Sequence, residues 1–399
     1  MRTAVSLAAS AFAAGGAAVV GAAIQAERYV LRERTLPMPG VLLPAAGIRI
    51  LHLSDMHLAP HNRRRAQYIA SLERLKPDLV VLTGDFIASD RALELLHEAL
   101  SPLRGVPGVF VYGSNDYFKP VLKNPLLYLV RNSNEGKSTR RAAPQRLNTG
   151  ELTAMLESFG WVNLNNRSAH IRVAGTPVRF VGVNDPHVHY DRFPHGELSY
   201  SSAAHSRRDS DDASVGEAQA QAQAQAQGED QRGEDTNATL TIGVTHSPYS
   251  RILDEMTAAG CSLVFAGHTH GGQVCLPGAK ALVTNCDMDT AHVAGLFEWP
   301  VSAGWRGSHK APVFRRNAEF SELAQAAGFA TLPLLHTERQ GDSPRTSLPS
   351  ARQSSTHNAS SRAAHTHTAW VQISAGLGTS PYVPLRTFCP PEAILLHIL

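Results

Sequence analysis

The sequence predicts an α/β protein, because short apolar strands alternate with helical segments through its first half. The runs Ile48–Leu53, Asp78–Asp85 and Val109–Tyr112 have the composition of strands, and Tyr68–Leu75 and Leu93–Leu100 have that of helices. Prolines end both helices, since the residue before a proline disfavours helical backbone. Alternation of this kind is typical of a parallel sheet with helical crossovers.

The second half continues the pattern after a group of short predicted strands. These strands are Trp161–Leu164, His170–Val173 and Val178–Val183. Later come a strand at Ala238–Thr245, a helix at Tyr249–Ala259, a strand at Cys261–Ala266, and final strands at Ala369–Ser374 and Ala393–Leu399. Beyond Leu296 the chain is predicted to be irregular, apart from a helix at Asn317–Ala327.

The amino-acid composition narrows the classes of function that this chain can have. The chain has 399 residues, 43% of them hydrophobic, which is enough for a sizeable core. The formal net charge of +3 is small, so no nucleic-acid partner is expected. The four cysteines show no CxxC spacing and no disulfide framework, which fits a reducing compartment.

The N-terminus is an uncharged run rich in Ala, Gly and Val. Residues 4–26 are long enough to span a bilayer but poor in Leu, Ile and Phe. A signal-anchor helix, a cleaved signal peptide and a peripheral helix all remain open. The arginines that follow, Arg28, Arg32 and Arg34, favour membrane association with the catalytic part in the cytoplasm.

Two low-complexity inserts interrupt the predicted catalytic domain. We divide the chain into an N-terminal segment and linker, 1–46, and one domain, 47–399. Within that domain, residues of about 197–237 and 337–368 are predicted to be disordered, because their polar composition cannot support a packed core.

Five predicted strands end in side chains that bind metals. In open α/β sheets, sites form beyond the carboxyl ends of the strands, so these side chains are expected to converge. The residues are Asp55 and His57, Asp85, Ser114 with Asn115 and Asp116, His246, and His268 with His270. Imidazoles with carboxylates and an amide, without thiolates, suit Zn, Fe or Mn. Their number exceeds one coordination sphere, so two divalent or trivalent ions sharing a carboxylate are predicted.

The ordered set of motifs resembles that of the calcineurin-like metallophosphoesterases, D-x-H, G-D, G-N-H-D/E, a lone His and G-H-x-H. This chain has Asp55-Met56-His57, Gly84-Asp85, Gly113-Ser114-Asn115-Asp116, His246 and Gly267-His268-Thr269-His270. The resemblance implies a four-layer α/β/β/α sandwich of two mixed sheets flanked by helices. The Gly-Gly-Gln after His270, and Gly376–Ser380 with its following Pro-Leu-Arg, resemble a bacterial branch that acts on small phosphoesters or phosphodiesters.

The resemblance also implies roles for individual residues. Asp55, His57 and His270 would hold one metal ion, and Asp85 would bridge it to the second. His246, His268 and an amide oxygen would hold the second ion.

One motif departs from the family, since Ser114 and Asn115 replace its Asn and His. We assign the amide ligand to Asn115, with Asp116 as the competing candidate, and count Asp85, Asn115 and Asp116 as catalytic. The family's histidine, which is expected to stabilise the transition state or protonate the leaving oxygen, is missing. His187 and His189 are candidates to replace it or to bind substrate.

The predicted function is dinuclear metal-dependent hydrolysis of a phosphate ester by a metal-bridging hydroxide, with phosphodiesters favoured over monoesters. Substrates would be small phosphoesters, or lipid or envelope phosphoesters if the chain is tethered to a membrane. The alternative is a scaffold or regulatory protein that binds metal but catalyses weakly.

Overall fold

Two six-stranded sheets form the centre of the computed structural model, which describes residues 16–120, 145–194, 240–278, 280–301, 367–380 and 384–399. The first sheet has the spatial order Val30–Leu36 (β1), Glu392–Ile398 (β14), Ile48–Leu53 (β2), Leu79–Leu82 (β3), Gly108–Phe110 (β4) and Val162–Asn163 (β5). Its pairs are parallel except β14 with β2, which is antiparallel.

The second sheet is also mixed. Its spatial order is Gly295–Val301 (β12), His367–Ile373 (β13), Leu263–Ala266 (β9), Thr241–Val244 (β8), Thr176–Gly182 (β7) and Arg167–Val173 (β6). The two outer pairs are antiparallel and the three inner pairs are parallel. A small hairpin-like pair, Cys275–Leu276 (β10) with Lys280–Ala281 (β11), lies apart from both sheets.

The two sheets share one core, and helices cover their outer faces. Along β2, Ile48 and Ile50 face the core between the sheets, whereas Leu51 and Leu53 face helices. This alternation follows from the two-residue period of a strand. The helices on the first sheet are Arg63–Ala70 (α2), Leu93–Leu100 (α3) and Thr149–Glu157 (α5), and Ser250–Ala258 (α6) covers the second. The predicted α/β/β/α sandwich is confirmed.

Several predicted boundaries need correction. The helix predicted at Tyr68–Leu75 begins at Arg63 and ends at Ala70, and Ser71–Leu75 forms a 3-10 turn. Its first turn is arginine-rich, so apolar periodicity alone did not reveal it. Helix α3 matches its prediction at both ends.

Two edge strands were missed, because edge strands bury only one side and carry polar residues that mask the strand pattern. Strand β1, inside the predicted N-terminal segment, has three consecutive charged residues, Arg32 to Arg34, in the middle of its sequence. The prediction of irregular chain beyond Leu296 is wrong as far as Val301, because β12 pairs with β13 over its full length; residues 302–366 lie outside the described part of the chain.

The N-terminal segment packs against the C-terminal part of the domain. Residues 16–26 are helical (α1), Ala22 O accepts a hydrogen bond from Arg386 N at 3.1 Å, and Gln25 Oε1 accepts one from Phe388 N at 2.8 Å. Among the described helices, none combines the length and apolar composition needed to cross a bilayer. The insert predicted at 197–237, the helix predicted at 317–327 and all but the last two residues of the 337–368 insert lie outside the described residues.

His52, on β2, contacts Phe265 and Thr83 in the core between the two sheets. Its ring centroid lies 5.0 Å from that of Phe265, and its Nε2 shares a hydrogen bond of 2.9 Å with Thr83 Oγ1. Burial lowers the pKa of His52 to about 3. The imidazole is therefore neutral in the folded protein at every pH at which the fold is expected to persist.

His52 should make the free energy of unfolding sensitive to acid. Below pH ~6.5 the unfolded chain binds a proton at His52 that the folded chain refuses, so stability falls by about 1.4 kcal/mol per pH unit. Between pH 6.5 and 5, we expect the wild type to lose about 2 kcal/mol more of its free energy of unfolding than His52→Gln does. Urea unfolding with a chelator present measures both variants. The same change at the exposed His97 should leave the pH dependence intact. Equal pH dependence in wild type and His52→Gln would contradict this.

Candidate metal centre

The loops that follow the inner strands carry the candidate ligands on unusual backbone. Five of them have a positive φ: Asp55 at 49°, His57 at 41°, Asp85 at 57°, His268 at 71° and His270 at 50°. Side chains other than glycine adopt this region rarely, and such strain concentrates at functional sites. The local backbone therefore indicates that these side chains are held in place by the surrounding structure.

Two carboxylates lie between the imidazoles. Asp85 Oδ2 is 3.4 Å from His57 Nε2 and 3.5 Å from His246 Nε2. Asp55 Oδ1 is 3.6 Å from His270 Nε2 and 3.9 Å from His57 Nε2. The side chains predicted from separate strand ends thus converge on one buried cluster.

Two overlapping groups in this cluster have the spacing of metal sites. One contains Asp55, His57 and His270, and the other contains Asp55, Asp85 and His246, with all ligand atoms of each group within 4.8 Å of one another. His268 lies on the His246 side, with its Nδ1 3.2 Å from His246 Nε2. The first group is the set of ligands that the family resemblance implies for one ion. The second group contains Asp55 beside Asp85 and His246, whereas the resemblance implies His268 in that position.

The donor atoms suit a cation. Asp55 Oδ1, both ring nitrogens of His57, His268 Nε2 and His270 Nδ1 are buried and form no hydrogen bond with the described residues. Buried polar atoms without partners are rare in folded proteins, and each requires a partner outside the chain or a functional reason. Oxygen and imidazole donors gathered around one space fit metal ions such as Zn, Fe or Mn.

Protonation at the site supports the same interpretation. Burial lowers the pKa of His57 to about 4 and the pKa values of His268 and His270 well below the usual value, so these three imidazoles are neutral ligands. Burial opposes charge at His246 as well, but the carboxylates of Asp85 and Asp185 outweigh it and raise the His246 pKa well above its usual range. Before metal binds, His246 and Asp85 form an ion pair.

Metal binding at His246 should therefore release about one proton near neutral pH, because a ligating imidazole must be deprotonated. We expect the affinity for Mn²⁺ to rise with pH through the neutral range, by up to about tenfold per pH unit while His246 remains protonated. Calorimetry in two buffers of different ionisation enthalpy measures the proton count. His57→Gln is the matched control, because His57 has no proton to lose. It should weaken binding while the number of released protons stays the same. A pH-independent affinity in wild type would disprove the assignment.

The backbone and neighbouring side chains orient the central ligands. His246 Nδ1 donates to Thr83 O at 2.6 Å, which directs Nε2 toward Asp85. Asp55 Oδ2 accepts hydrogen bonds from His268 N at 2.9 Å and Ser54 Oγ at 2.5 Å, which leaves Oδ1 facing the imidazoles. Such outer contacts fix the tautomer and orientation of metal ligands.

The altered Gly-Ser-Asn-Asp motif places its three polar side chains differently. Asn115 donates from its backbone N to Asp85 Oδ1 at 2.8 Å and from Nδ2 to Asp85 Oδ2 at 2.6 Å. Asp116 turns away, and its carboxylate accepts from the amides of Asp85, Phe86 and Gly113 at 2.7 to 2.9 Å. Asn115 is thus the member of the motif that reaches the cluster, and Asp116 ties the two loops together. Ser114 is half-exposed at the start of a short helix, Ser114–Tyr117 (α4).

His187 and His189 occupy different positions. The His187 ring lies 4.6 Å from the His268 ring, and its Nδ1 shares a hydrogen bond of 3.1 Å with Tyr249 Oη. His189 is exposed at the end of the same turn. Of the two predicted substrate-binding residues, only His187 is brought beside the cluster.

Other residues that shape the site were not predicted. Asp185 is buried, and its Oδ1 accepts from His187 N at 2.9 Å and Ser247 Oγ at 2.7 Å, which joins the His187 turn to the residue after His246. Arg386 is fully buried and donates to the carbonyl groups of His270, Ala375, Gly376, Gly378 and Cys389. Arg386 is the arginine of the Pro-Leu-Arg sequence, but no sequence signal shows that it holds the His270 loop.

A two-sheet sandwich that gathers buried carboxylates and imidazoles beyond its strand ends can hold metal ions of the kind that metal-dependent hydrolases use. The family model for calcineurin-like phosphoesterases matches residues 48–272, more than half of the chain. The chain belongs to this family, and we conclude that it is a metal-dependent hydrolase of phosphoric esters.

Two proteins that are similar to this chain in sequence are named as metallophosphoesterases. The chain is 24% identical over 246 residues to the metallophosphoesterase YkoQ of Bacillus subtilis (strain 168), a match that covers 60% of this chain and 68% of that protein. It is 21% identical over 254 residues to the metallophosphoesterase F40B5.2 of Caenorhabditis elegans, covering 61% of this chain and 41% of that protein. The solved structure of TT1561 from Thermus thermophilus aligns with 13% identity and a TM-score of 0.29, over 56% of this chain and 82% of that one.

Proposed function

We propose that the chain binds two metal ions bridged by Asp85 and hydrolyses phosphodiesters in preference to monoesters. The observation that carries the proposal is the position of Asp85 Oδ2, within 3.5 Å of imidazoles on both sides, His57 and His246. Two such ions would activate water and neutralise charge on the phosphoryl oxygens. Manganese, iron and zinc all suit this donor set.

The residues of the chain would hold the reacting groups in order. Asp85 is fixed by two hydrogen bonds from Asn115, and Asp55 by those from Ser54 and the His268 amide. Because these contacts exist before substrate arrives, little reorganisation would be needed during the reaction. For Asn115 to serve as a ligand, its amide oxygen would have to replace the nitrogen that now faces Asp85.

The charge around the cluster supports the preference for diesters. The buried guanidinium of Arg386 lies near the site but donates its hydrogen bonds to carbonyl groups, so it is not available to bind a phosphoryl oxygen. A phosphodiester carries one negative charge, and a phosphomonoester carries nearly two at neutral pH. Without a contribution from Arg386, the two metal ions would neutralise the single charge of a diester more completely than the double charge of a monoester.

His187 is our candidate for contact with the substrate. Its ring lies beside His268, and the hydrogen bond with Tyr249 Oη orients it. In this position His187 would bind a phosphoryl oxygen or the leaving group, where the family's usual histidine is replaced by Asn115. As the class of substrate we propose a small phosphoester or a lipid-linked phosphoester.

Turnover of two chromogenic substrates tests the proposal. The full chain is loaded with Mn²⁺ and assayed on bis-p-nitrophenyl phosphate and on p-nitrophenyl phosphate, with metal content measured on the same sample. We expect two ions per chain and a higher kcat/KM for the diester. A higher value for the monoester would contradict the diester preference. Two bound ions without turnover under Mn²⁺, Zn²⁺ or Fe²⁺ would favour the scaffold alternative.

Membrane association through residues 4–26 is a separate proposal. Val19, Val20 and Ile24 on α1 are more than half exposed, so an apolar surface is available on this helix. Fractionation of the chain with a C-terminal tag, with and without residues 1–26, tests it, because this truncation removes α1 and leaves β1 in the sheet. Loss of membrane sedimentation on truncation is expected, and identical distribution of both forms would contradict it.

A further inference from the structure

Two cysteines lie directly against the loop that carries His270. Cys275 Sγ donates to Gly271 O at 3.2 Å, and Cys389 Sγ to His270 O at 3.5 Å. Both side chains are buried, with exposed fractions of 3% and 8%. The proposed metal chemistry uses neither thiol, although each contacts the backbone of the ligand loop.

The two cysteines are also neighbours of each other. Their chain segments pair through a parallel bridge between Val274 and Thr387, and Cys275 N donates to Thr387 O at 3.1 Å. Both side chains belong to one small buried cluster, together with Ala281, Val293 and Ala375. Two cysteines on paired chain segments in one cluster are the arrangement from which a disulfide can form when the sulfurs approach to bonding distance.

Cys389 packs closely against the loop that carries His270. A Cβ placed on Gly271 would lie 2.5 Å from Cys389 Sγ and 2.9 Å from Ala375 Cβ, so Cys389 packs directly on the Gly271 backbone. Arg386, which donates to His270 O, also lies 3.8 Å from Cys389 Sγ through its Nη1. A movement of the Cys389 sulfur would therefore disturb both hydrogen bonds that the His270 carbonyl oxygen accepts, one from Cys389 and one from Arg386.

We propose that Cys275 and Cys389 form a reversible disulfide that weakens metal binding at Asp55, His57 and His270. With hydrogen peroxide as oxidant, one thiolate attacks the O–O bond to give a sulfenic acid and water. The second thiol then attacks that sulfur, forming the S–S bond and releasing a second water. Two thiols lose two electrons and two protons, and a dithiol such as dithiothreitol reverses the step.

The physical link to the metal site is the pair of thiol–carbonyl hydrogen bonds. A disulfide has no S–H donor and requires the sulfurs about 2.05 Å apart, so both hydrogen bonds to the loop are lost as the sulfurs move together. Loss of outer contacts of this kind weakens metal binding by about 10- to 100-fold in comparable sites. The inference rests on the proposed metal site but not on any particular ester substrate.

Mass spectrometry and metal release test this proposal without any measurement of turnover. The full chain is loaded with Zn²⁺, which is not itself oxidised, and treated with hydrogen peroxide. Linked peptides are mapped, and release of Zn²⁺ to a chromogenic chelator is followed before and after dithiothreitol. Cys275→Ser and Cys389→Ser each remove the disulfide and keep a hydrogen-bond donor. Cys261→Ala and Cys286→Ala are the matched controls, since both lie elsewhere in the core.

The expected result is a Cys275–Cys389 linked peptide and Zn²⁺ release at least about tenfold faster, restored by dithiothreitol. Both effects should persist in the two control variants and vanish in the two serine variants. Absence of the linked peptide would overturn the proposal, as would a complete disulfide with unchanged Zn²⁺ release. Failure of the phosphoesterase assay in reduced protein that still binds two ions would affect only the proposed function.

Discussion

Asp85→Asn is expected to abolish turnover, with a loss of roughly a thousandfold or more in kcat/KM, about 4 kcal/mol of transition-state stabilisation. The change keeps the shape of the side chain but removes the charge that lies between His57 and His246. A neutral amide cannot bridge two cations, so metal content should fall below two ions per chain. Metal analysis and turnover of bis-p-nitrophenyl phosphate, measured on the same sample, check the prediction.

The same variant should shift the protonation of His246. Asp85 is the main charge that raises the pKa of this imidazole against the effect of burial, so its removal should lower the pKa. Metal binding would then release fewer protons than in wild type. Asp289→Asn is the control, because Asp289 is exposed and caps a turn through a hydrogen bond that asparagine can also accept. Full metal content and turnover in Asp85→Asn would refute the role of Asp85.

Gly113→Ala is expected to cause the second-largest loss, through crowding alone. A Cβ on Gly113 would lie 2.2 Å from Asp85 Oδ1 and 2.6 Å from His246 Nε2, in the middle of the cluster. The φ of Gly113 is −104°, which any residue can adopt, so backbone strain does not contribute. The carboxylate and the imidazole must both move, and we expect metal affinity to fall by about 10- to 100-fold.

Metal titration and urea unfolding separate this effect from general destabilisation. Overpacking should cost about 1–3 kcal/mol of stability, which leaves the protein folded. Gly150→Ala on the exposed surface of α5 is the matched control, since the nearest atom to its added Cβ is Asn148 Oδ1 at 3.3 Å. That variant should bind metal normally and be as stable as wild type or more so. Equal metal affinity in both variants would contradict the crowding argument.

The inner strands and the metal ligands were predictable from sequence for a physical reason. Strands buried on both faces must be apolar throughout, so Leu79–Leu82 and Leu263–Ala266 stand out from the sequence around them. A polar residue after such a strand, as at Asp85 or His268, is therefore conspicuous. The same reasoning fails at β1 and β12, whose pairing with β14 and β13 becomes visible only when the sheets are assembled.

The sequence by itself determined the α/β class and the ligand types, because strand burial and side-chain chemistry are local properties of the chain. Only the tertiary structure decided which member of Gly113–Asp116 reaches the cluster, since Asn115 and Asp116 differ in orientation rather than in proximity along the chain. It also decided that Arg386 and two cysteines support the His270 loop. These contacts join residues more than a hundred positions apart or depend on side-chain direction, and no spacing rule along a sequence encodes either.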